Sequence, residues 1–295
     1  MIAFTTFHIE NKTGQAKAIN FHLNKNLRSQ YHILIDLMFR SAKLFHPKCR
    51  RAVLSDEQSE FDYLDSSIQV FRNQLEPDAP MMFNRLASQI NYVKQYGAST
   101  NIVTLDSDIL VNADVESLFE EDFDIGLTYR LRDDMPINWG VMFISCRRPE
   151  KVVTFLEKVL ATYRKRYFTS EDFWRDQYAL MDVIGRERFS RRKTDWLNIE
   201  GVKIKLLPCE TYNHSPENEA QEFNQPLTKE KIIHFKGNRK RFVEDYWNAY
   251  LASKEQPRQS SFYQRTRSRL KIAYAAHLEE RAKNKQEREI NQTSH

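Results

Sequence analysis

The first hundred residues alternate between short apolar runs and longer segments of helical period. Met1–Phe7 is apolar and β-branched and predicts a first strand. Leu27–Phe45 predicts a helix with Ile33, Leu34, Leu37 and Met38 on one face. His46-Pro47 ends it, because the residue before proline is pushed out of helical geometry. Arg51–Leu54 is a short strand running into Ser55-Asp56. Pro80–Tyr96 is a second helix, with Leu86, Ile90 and Val93 toward the core, and Asn101–Leu105 is the next strand. This βαβαβ rhythm predicts a parallel sheet with helices on its faces. Such sheets bind ligands beyond the carboxyl ends of their strands, where Thr5, Thr6, Asp56, Asp106 and Asp108 fall.

The second half is less regular. Ile125–Tyr129, Val141–Ser145, Val202–Leu207 and Lys231–Phe235 read as strands. Pro149–Tyr163 is a helix with proline in its first turn. Ser170–Val183 is another, with Ser170 as N-cap and Phe173 at its third position. Residues 210–230 are polar and turn-rich and predict a long loop. Phe262–Arg288 predicts an amphipathic helix whose stripe is Tyr263, Leu270, Tyr274 and Leu278. The division expected is a domain over 1–253 and a helical tail over 254–295.

Composition narrows the class. The chain has 295 residues, 41% hydrophobic and 29% charged, as expected of a globular protein with a sizeable core. No apolar run approaches the ~18 residues of a membrane helix, and the start lacks a signal-peptide pattern, so a cytoplasmic location is expected. The net charge is +5, and residues 254–295 alone hold ten Lys/Arg against five Asp/Glu. The body is therefore neutral, and no nucleic-acid partner is expected. The basic tail either packs on the body as a solvated helix or touches an anionic membrane face. Cys49, Cys146 and Cys209 are odd in number and far apart, which suits reduced thiols. The seven glycines are too scattered for either a dinucleotide fingerprint or a P-loop. A phosphate ligand would need metal, side chains or helix N-termini instead.

Candidate chemistry concentrates at Asp106-Ser107-Asp108, where an apolar strand ends in two carboxylates. In an extended chain residues i and i+2 point the same way. Two like charges in one small volume repel unless a cation lies between them. Hard oxygen ligands suit magnesium or manganese, which bridge protein carboxylates to substrate phosphates. The plain alternative is a surface turn, which Asp-Ser-Asp also favours.

Three further segments follow in order: Asn138-Trp139-Gly140 before an apolar strand, Asp176-Gln177 within a helix, and His234-Phe235-Lys236-Gly237-Asn238-Arg239-Lys240 after one. Together with the Asp pair they resemble a metal-dependent GT-A glycosyltransferase of the family 8 type, over roughly residues 1–250. The resemblance implies an α/β, Rossmann-like, mixed but mainly parallel sheet flanked by helices. It implies transfer of a sugar from a nucleoside-diphosphate sugar to an acceptor hydroxyl, with retention of configuration, using Mn2+ or Mg2+. The acceptor would be a glycan, a lipid-linked glycan or a protein.

Residue by residue, the resemblance implies that Asp106, Asp108 and His234 hold the metal. Lys240 would grip the diphosphate, with Gly237 letting the backbone pass close to it. Asn138 and Asp176 would bond the donor sugar, and Gln177 would lie near its anomeric carbon. Arg85 would stand near the donor, and Thr5 and Thr6 would line the base. Two positions depart from the family: Arg241-Phe242 replaces the Pro-Trp that often follows the lysine, and Trp139 stands where a small residue is commoner. Two other readings are open. One is a binding or scaffold protein on this fold. The other is a phosphatase of the haloacid dehalogenase type, whose first Asp is the nucleophile. That motif usually lies near the chain start with Thr or Val two residues after the second Asp, where Leu110 stands here.

Overall fold

The computed structural model describes residues 1–10, 27–132, 134–169, 174–190, 195–217, 219–255 and 262–293. Ten strands run β1 (Ile2–Phe7), β2 (Arg50–Ser55), β3 (Gln69–Arg72), β4 (Asn101–Leu105), β5 (Ile109–Val111), β6 (Ile125–Tyr129), β7 (Ile137–Ile144), β8 (Trp196–Ile199), β9 (Val202–Pro208) and β10 (Ile232–His234). The long helices are α1 (Leu27–Phe45), α2 (Met81–Tyr96), α3 (Pro149–Arg166), α4 (Arg175–Ile184) and α5 (Phe262–Thr293). Eight strands form one sheet in the order β3-β2-β1-β4-β7-β6-β9-β8, and β5 pairs with β10 in a small second sheet. The first four strands are parallel, β7 runs antiparallel to both neighbours, and β6 and β9 are again parallel. The expected mixed, mainly parallel α/β sheet is what the chain forms.

The central strands are apolar on both faces because both are covered. Ala3, Ile102, Met142 and Ile144 pack against α2, α3 and α4 through Phe83, Leu86, Leu156 and Leu180. Phe4, Val103, Leu105 and Phe143 pack against α1 through Ile35, Met38 and Phe39. Each fully buried side chain of this size is worth about 1.5–3 kcal/mol. Exposed ion pairs such as Lys94–Glu157 are worth about 0–1 kcal/mol each, so packing rather than surface charge fixes the sheet.

Several boundaries differ from the sequence reading. On α1, Ile33 is 41% exposed, whereas Leu34 and Leu37 point to a third cluster, with Phe235, Trp247 and Ile272. The helix is buried on two sides, so a single apolar face underestimates it. Asn138 and Gly140 lie inside β7 rather than before it. Residues 210–230 hold two short helices, Cys209–Tyr212 and Glu219–Phe223, where a long loop was expected. The expected Ser170 N-cap, with Glu171, Asp172 and Phe173, lies outside the described residues. Strands β3, β5 and β8, each three or four residues long, were not read from the sequence. Asp56 accepts the Ser59 amide at 2.8 Å, which makes it a turn residue.

The tail packs on the body with its apolar stripe outward. Helix α5 docks through Ser268, Ile272 and Ala276, all buried, while Tyr263, Leu270, Tyr274 and Leu278 face solvent. Ser268 donates to Asp245 at 2.9 Å, and Glu279 accepts the Ala220 amide at 2.9 Å. No described helix is long and apolar enough to cross a membrane.

Candidate active site

The site is built where β4 stops. Asp106 and Asp108 do not lie on extended chain; they flank the turn that carries β4 into β5. Strand β7 keeps them in place, since the Asp106 amide donates to the Gly140 carbonyl at 2.8 Å. Strand β10 then pairs antiparallel with β5, with His234 opposite Ile109. That register sets His234 beside Asp108, and the Phe235 amide donates to the Asp108 carbonyl at 2.8 Å. Residues 126 positions apart in the chain thus meet through three ladder residues.

Asp106, Asp108 and His234 each present one ligand atom, and these atoms all lie within 4.8 Å of one another. His234 Nε2 is 3.1 Å from Asp108 Oδ1 and 3.7 Å from Asp106 Oδ2. Its Nδ1 contacts Asn213 Oδ1 at 2.8 Å. The Asn213 amide nitrogen donates to Thr128 Oγ1 at 2.7 Å and to the Asn138 carbonyl at 3.2 Å, so the amide oxygen is the end left to accept. Nδ1 therefore carries the proton, and the Nε2 lone pair faces the oxygens of the two acids, an arrangement that a cation would join. Burial pushes the His234 pKa down, outweighing the pull of Asp108, and the ring is neutral.

Gly140 makes this approach possible. A Cβ there would stand 2.9 Å from Asp106 Oδ2 and closer still to the His234 ring. Two hard oxygens and a neutral imidazole nitrogen, converging over a residue without a side chain, fit manganese or magnesium.

Cations interleave with the acids. Lys240 Nζ lies 2.6 Å from Asp108 Oδ2. Burial opposes ionisation of Asp108, but Lys240 overcomes it and holds its carboxyl well below the usual range. Burial likewise opposes the charge on Lys240, and Asp108 overcomes it, raising its pKa. Arg85, from α2, bridges Asp106 at 2.6 Å and Asp176 at 2.5 Å. Asp176 lies in the first turn of α4, and burial raises its pKa against the pull of Arg85. Gln177 Oε1 accepts the Trp139 amide at 3.1 Å, and Asn138 Oδ1 accepts the Gly140 amide at 3.0 Å.

Of the residues expected at the site, Asp106, Asp108, His234, Lys240, Arg85, Asp176, Gln177 and Asn138 therefore form one connected network. Gly237 sits in the turn between His234 and Lys240, at φ +58°, with nothing within 4 Å of where a Cβ would be. Thr5 and Thr6 are buried at the end of β1, and both hydroxyls lack a partner. Neighbours in a strand face opposite ways, so only one of the two can line a given pocket. Thr6 is paired with Leu105, the residue before Asp106.

Sequence reading missed Asn213, which orients His234, because it lies in a polar stretch with no distinguishing pattern. It also passed over Lys236. This side chain has no ion pair or hydrogen bond through its ammonium among the described residues. Burial, and then the like charge of Arg130, push its pKa down to about 8.

No protein-family model matches the sequence, and no curated protein does either. The fold has solved counterparts. A crystal structure of the galactosyltransferase LgtC with donor and acceptor sugar analogues aligns at TM-score 0.51 and 13% identity, covering 80% of this chain and 87% of that one. The apo form of the glycosyltransferase GlyE from Streptococcus pneumoniae aligns at TM-score 0.50 and 13% identity. The alignment covers 86% of this chain and 60% of GlyE. These likenesses show the fold, which is the GT-A glycosyltransferase fold.

Proposed function

We propose that this chain is a metal-dependent glycosyltransferase, moving a sugar from a nucleoside-diphosphate sugar to an acceptor hydroxyl with retention. One observation carries the reading: two acids and a neutral imidazole, brought from separate strands, converge within 4.8 Å on a GT-A fold. Asp106, Asp108 and His234 would hold Mn2+ or Mg2+. When bound, the divalent ion offsets charge on the diphosphate and makes it a better leaving group.

The remaining residues serve that departure. Lys240, which rests on Asp108, is the cation placed to turn to the diphosphate and offset the charge that develops there. Arg85 fixes Asp106 and Asp176 in one arrangement, so Asp176 and Asn138 can orient the donor sugar. Gln177, held by the Trp139 amide, would lie beside the reacting carbon. Gly237 leaves open space for phosphate oxygens, and an unpartnered hydroxyl of either Thr5 or Thr6, whichever faces the site, is available at the nucleoside end. The acceptor would be a glycan, lipid-linked glycan or protein. The residues at 254–295 would form a tail distinct in role from the 1–253 domain.

The outward face of α5 supports a peripheral membrane contact. Tyr263, Leu270, Tyr274 and Leu278 are exposed at helical spacing, with Arg267 and Arg281 interleaved along the same face. An apolar stripe with basic flanks complements an anionic lipid surface. A cytoplasmic protein attached to the inner membrane face fits this arrangement.

The test is release of nucleoside diphosphate from a panel of nucleotide sugars with manganese present. Activity should vanish in excess chelator. Full activity in chelator, or in Asp108→Ala, would overturn the reading.

A further inference from the structure

Lys240 lies in the helical turn Gly237–Phe242, and the helix Val243–Tyr246 follows it without a break. Helix α5 packs along that helix and along the short helix Glu219–Phe223. Its buried residues Ile272 and Ala276 share one apolar cluster with Phe223, Phe235, Phe242 and Val243. Phe223 stacks on Phe235 at 4.7 Å and tilts against Phe242 at 5.6 Å, ring centre to ring centre. Phe235 follows His234, and Phe242 stands two residues after Lys240. The tail helix therefore shares a core with the segment that carries both His234 and Lys240.

Polar contacts fix how α5 lies on this segment. Ser268 and Lys271 both reach Asp245 Oδ1, at 2.9 and 3.2 Å. About two turns further along α5, Glu279 uses both of its carboxylate oxygens. Oε2 accepts the Ala220 amide at 2.9 Å, and Oε1 accepts from the Arg241 guanidinium at 3.2 Å. An exposed ion pair alone is weak, because both side chains must be ordered to form it. Here the Ala220 amide already holds the carboxylate in place.

The consequence falls on Arg239-Lys240-Arg241, three consecutive cations that repel one another. Arg239 is drawn to carbonyls, those of Pro216 at 2.5 Å and Lys236 at 3.4 Å. Arg241 is drawn to Glu279. Lys240, between them, turns to Asp108 at 2.6 Å. Gly237, at φ +58°, gives the start of this turn no side chain to hold it, so its order depends on the far end. We propose that α5 positions the diphosphate lysine: Glu279, by holding Arg241 beside Ala220, keeps Lys240 turned into the site. The inference rests on the transferase reading above. It gives Glu279 and Arg241, otherwise without a role, a positioning function exerted through Lys240.

A double-mutant cycle in the full chain tests it, read by calorimetric titration of the diphosphates of uridine, guanosine, cytidine and adenosine with manganese present. Lys240→Met should weaken the tightest of the four about tenfold, the loss of one charged hydrogen bond. Glu279→Ala and Arg241→Gln should each weaken it about threefold to fivefold, the range of an ordered ion pair. In the Lys240→Met background, Glu279→Ala should change nothing further, because no ammonium is left to position. Manganese affinity without nucleotide should stay within about twofold of wild type in Glu279→Ala, since independent sites do not couple. Unchanged nucleotide affinity in any of the three single variants overturns the proposal. So does an equal loss in the Lys240→Met background, or a parallel fall in manganese affinity, because either marks a general loosening of the fold. Should Glu279→Ala not fold, Arg241→Gln, at an exposed residue, runs the same cycle. If wild type binds none of the four nucleotides, the transferase reading fails and this proposal falls with it. If wild type binds and the Glu279 and Arg241 variants match it, only the positioning role is lost.

Discussion

Two buried histidines end two elements of this molecule, and they are built for different purposes. His46 follows α1, and His234 closes β10. Burial pushes both below the ordinary histidine pKa. His46 takes the Val115 amide on Nε2 at 3.3 Å and packs its ring 5.0 Å from that of Phe4. Among the described residues the acid in ion-pair range is Asp114, 3.5 Å away and largely exposed. His234 has one nitrogen fixed by Asn213 and the other aimed at two carboxylates. Burial and neutrality are common to both rings. What separates a ligand from a packing residue is the second nitrogen: one faces a backbone amide that saturates it, the other faces acids that a cation would join.

The largest break in that contrast is removal of an acid on the His234 side. Asp108→Ala should lower kcat/KM for a nucleotide sugar by on the order of 10³-fold, because Lys240 and the metal proposed for the triad would both lose their anchor. Asp114→Ala, beside His46, should leave kcat/KM within about twofold, since it is exposed and off the site. Equal losses in the two variants would erase the distinction.

Next in size is Arg85. It neutralises Asp176 deep in the fold, and removing one partner of a buried pair costs about 3–5 kcal/mol. Urea unfolding of Arg85→Ala should show a loss of that order. A change under about 1 kcal/mol would mean the pair is solvated in solution.

Asn213→Ala tests the orienting bond itself. Partners that fix a metal-bound histidine are worth about 10–100-fold in metal affinity. Manganese titration should show that decrease, and an unchanged affinity would mean the His234 tautomer is set by something other than Asn213.

The Asp pair, the His234–Lys240 segment and the first βαβαβ unit were legible because each is local. Apolar runs, their breaks and the order of short motifs survive in one dimension. Asn213 was not legible, because its role comes from being across from His234 in space, within a polar stretch. Gly140 was visible as a residue, but its steric necessity depends on β7 running antiparallel beneath the triad. The α5 stripe was legible as apolar, but which face meets the body was not. Period alone cannot say which of two faces meets the body, and here small residues, Ser268 and Ala276, allow the closer approach.

The smallest effect belongs to His46, and it tests whether this ring is structural only. Its folded pKa lies below the unfolded value of 6.5, so between the two the unfolded chain binds the extra proton. Its contribution to stability is complete above pH 6.5 and is lost as pH falls toward the folded pKa. His8, pushed down to about 4 chiefly by burial, and His234 act in the same direction. Wild-type stability should therefore rise from pH 5.5 to 6.5 and level off by 7.5. His46→Gln keeps an acceptor for the Val115 amide and removes the titration. Its urea midpoint should depend less steeply on pH across that window, by at most about 1.4 kcal/mol for each unit of displaced pKa. Manganese affinity should not move. If the variant keeps the full wild-type pH slope, His46 is not neutral by burial. If it loses manganese affinity, the two histidines are not independent, and the second-nitrogen criterion fails to separate them.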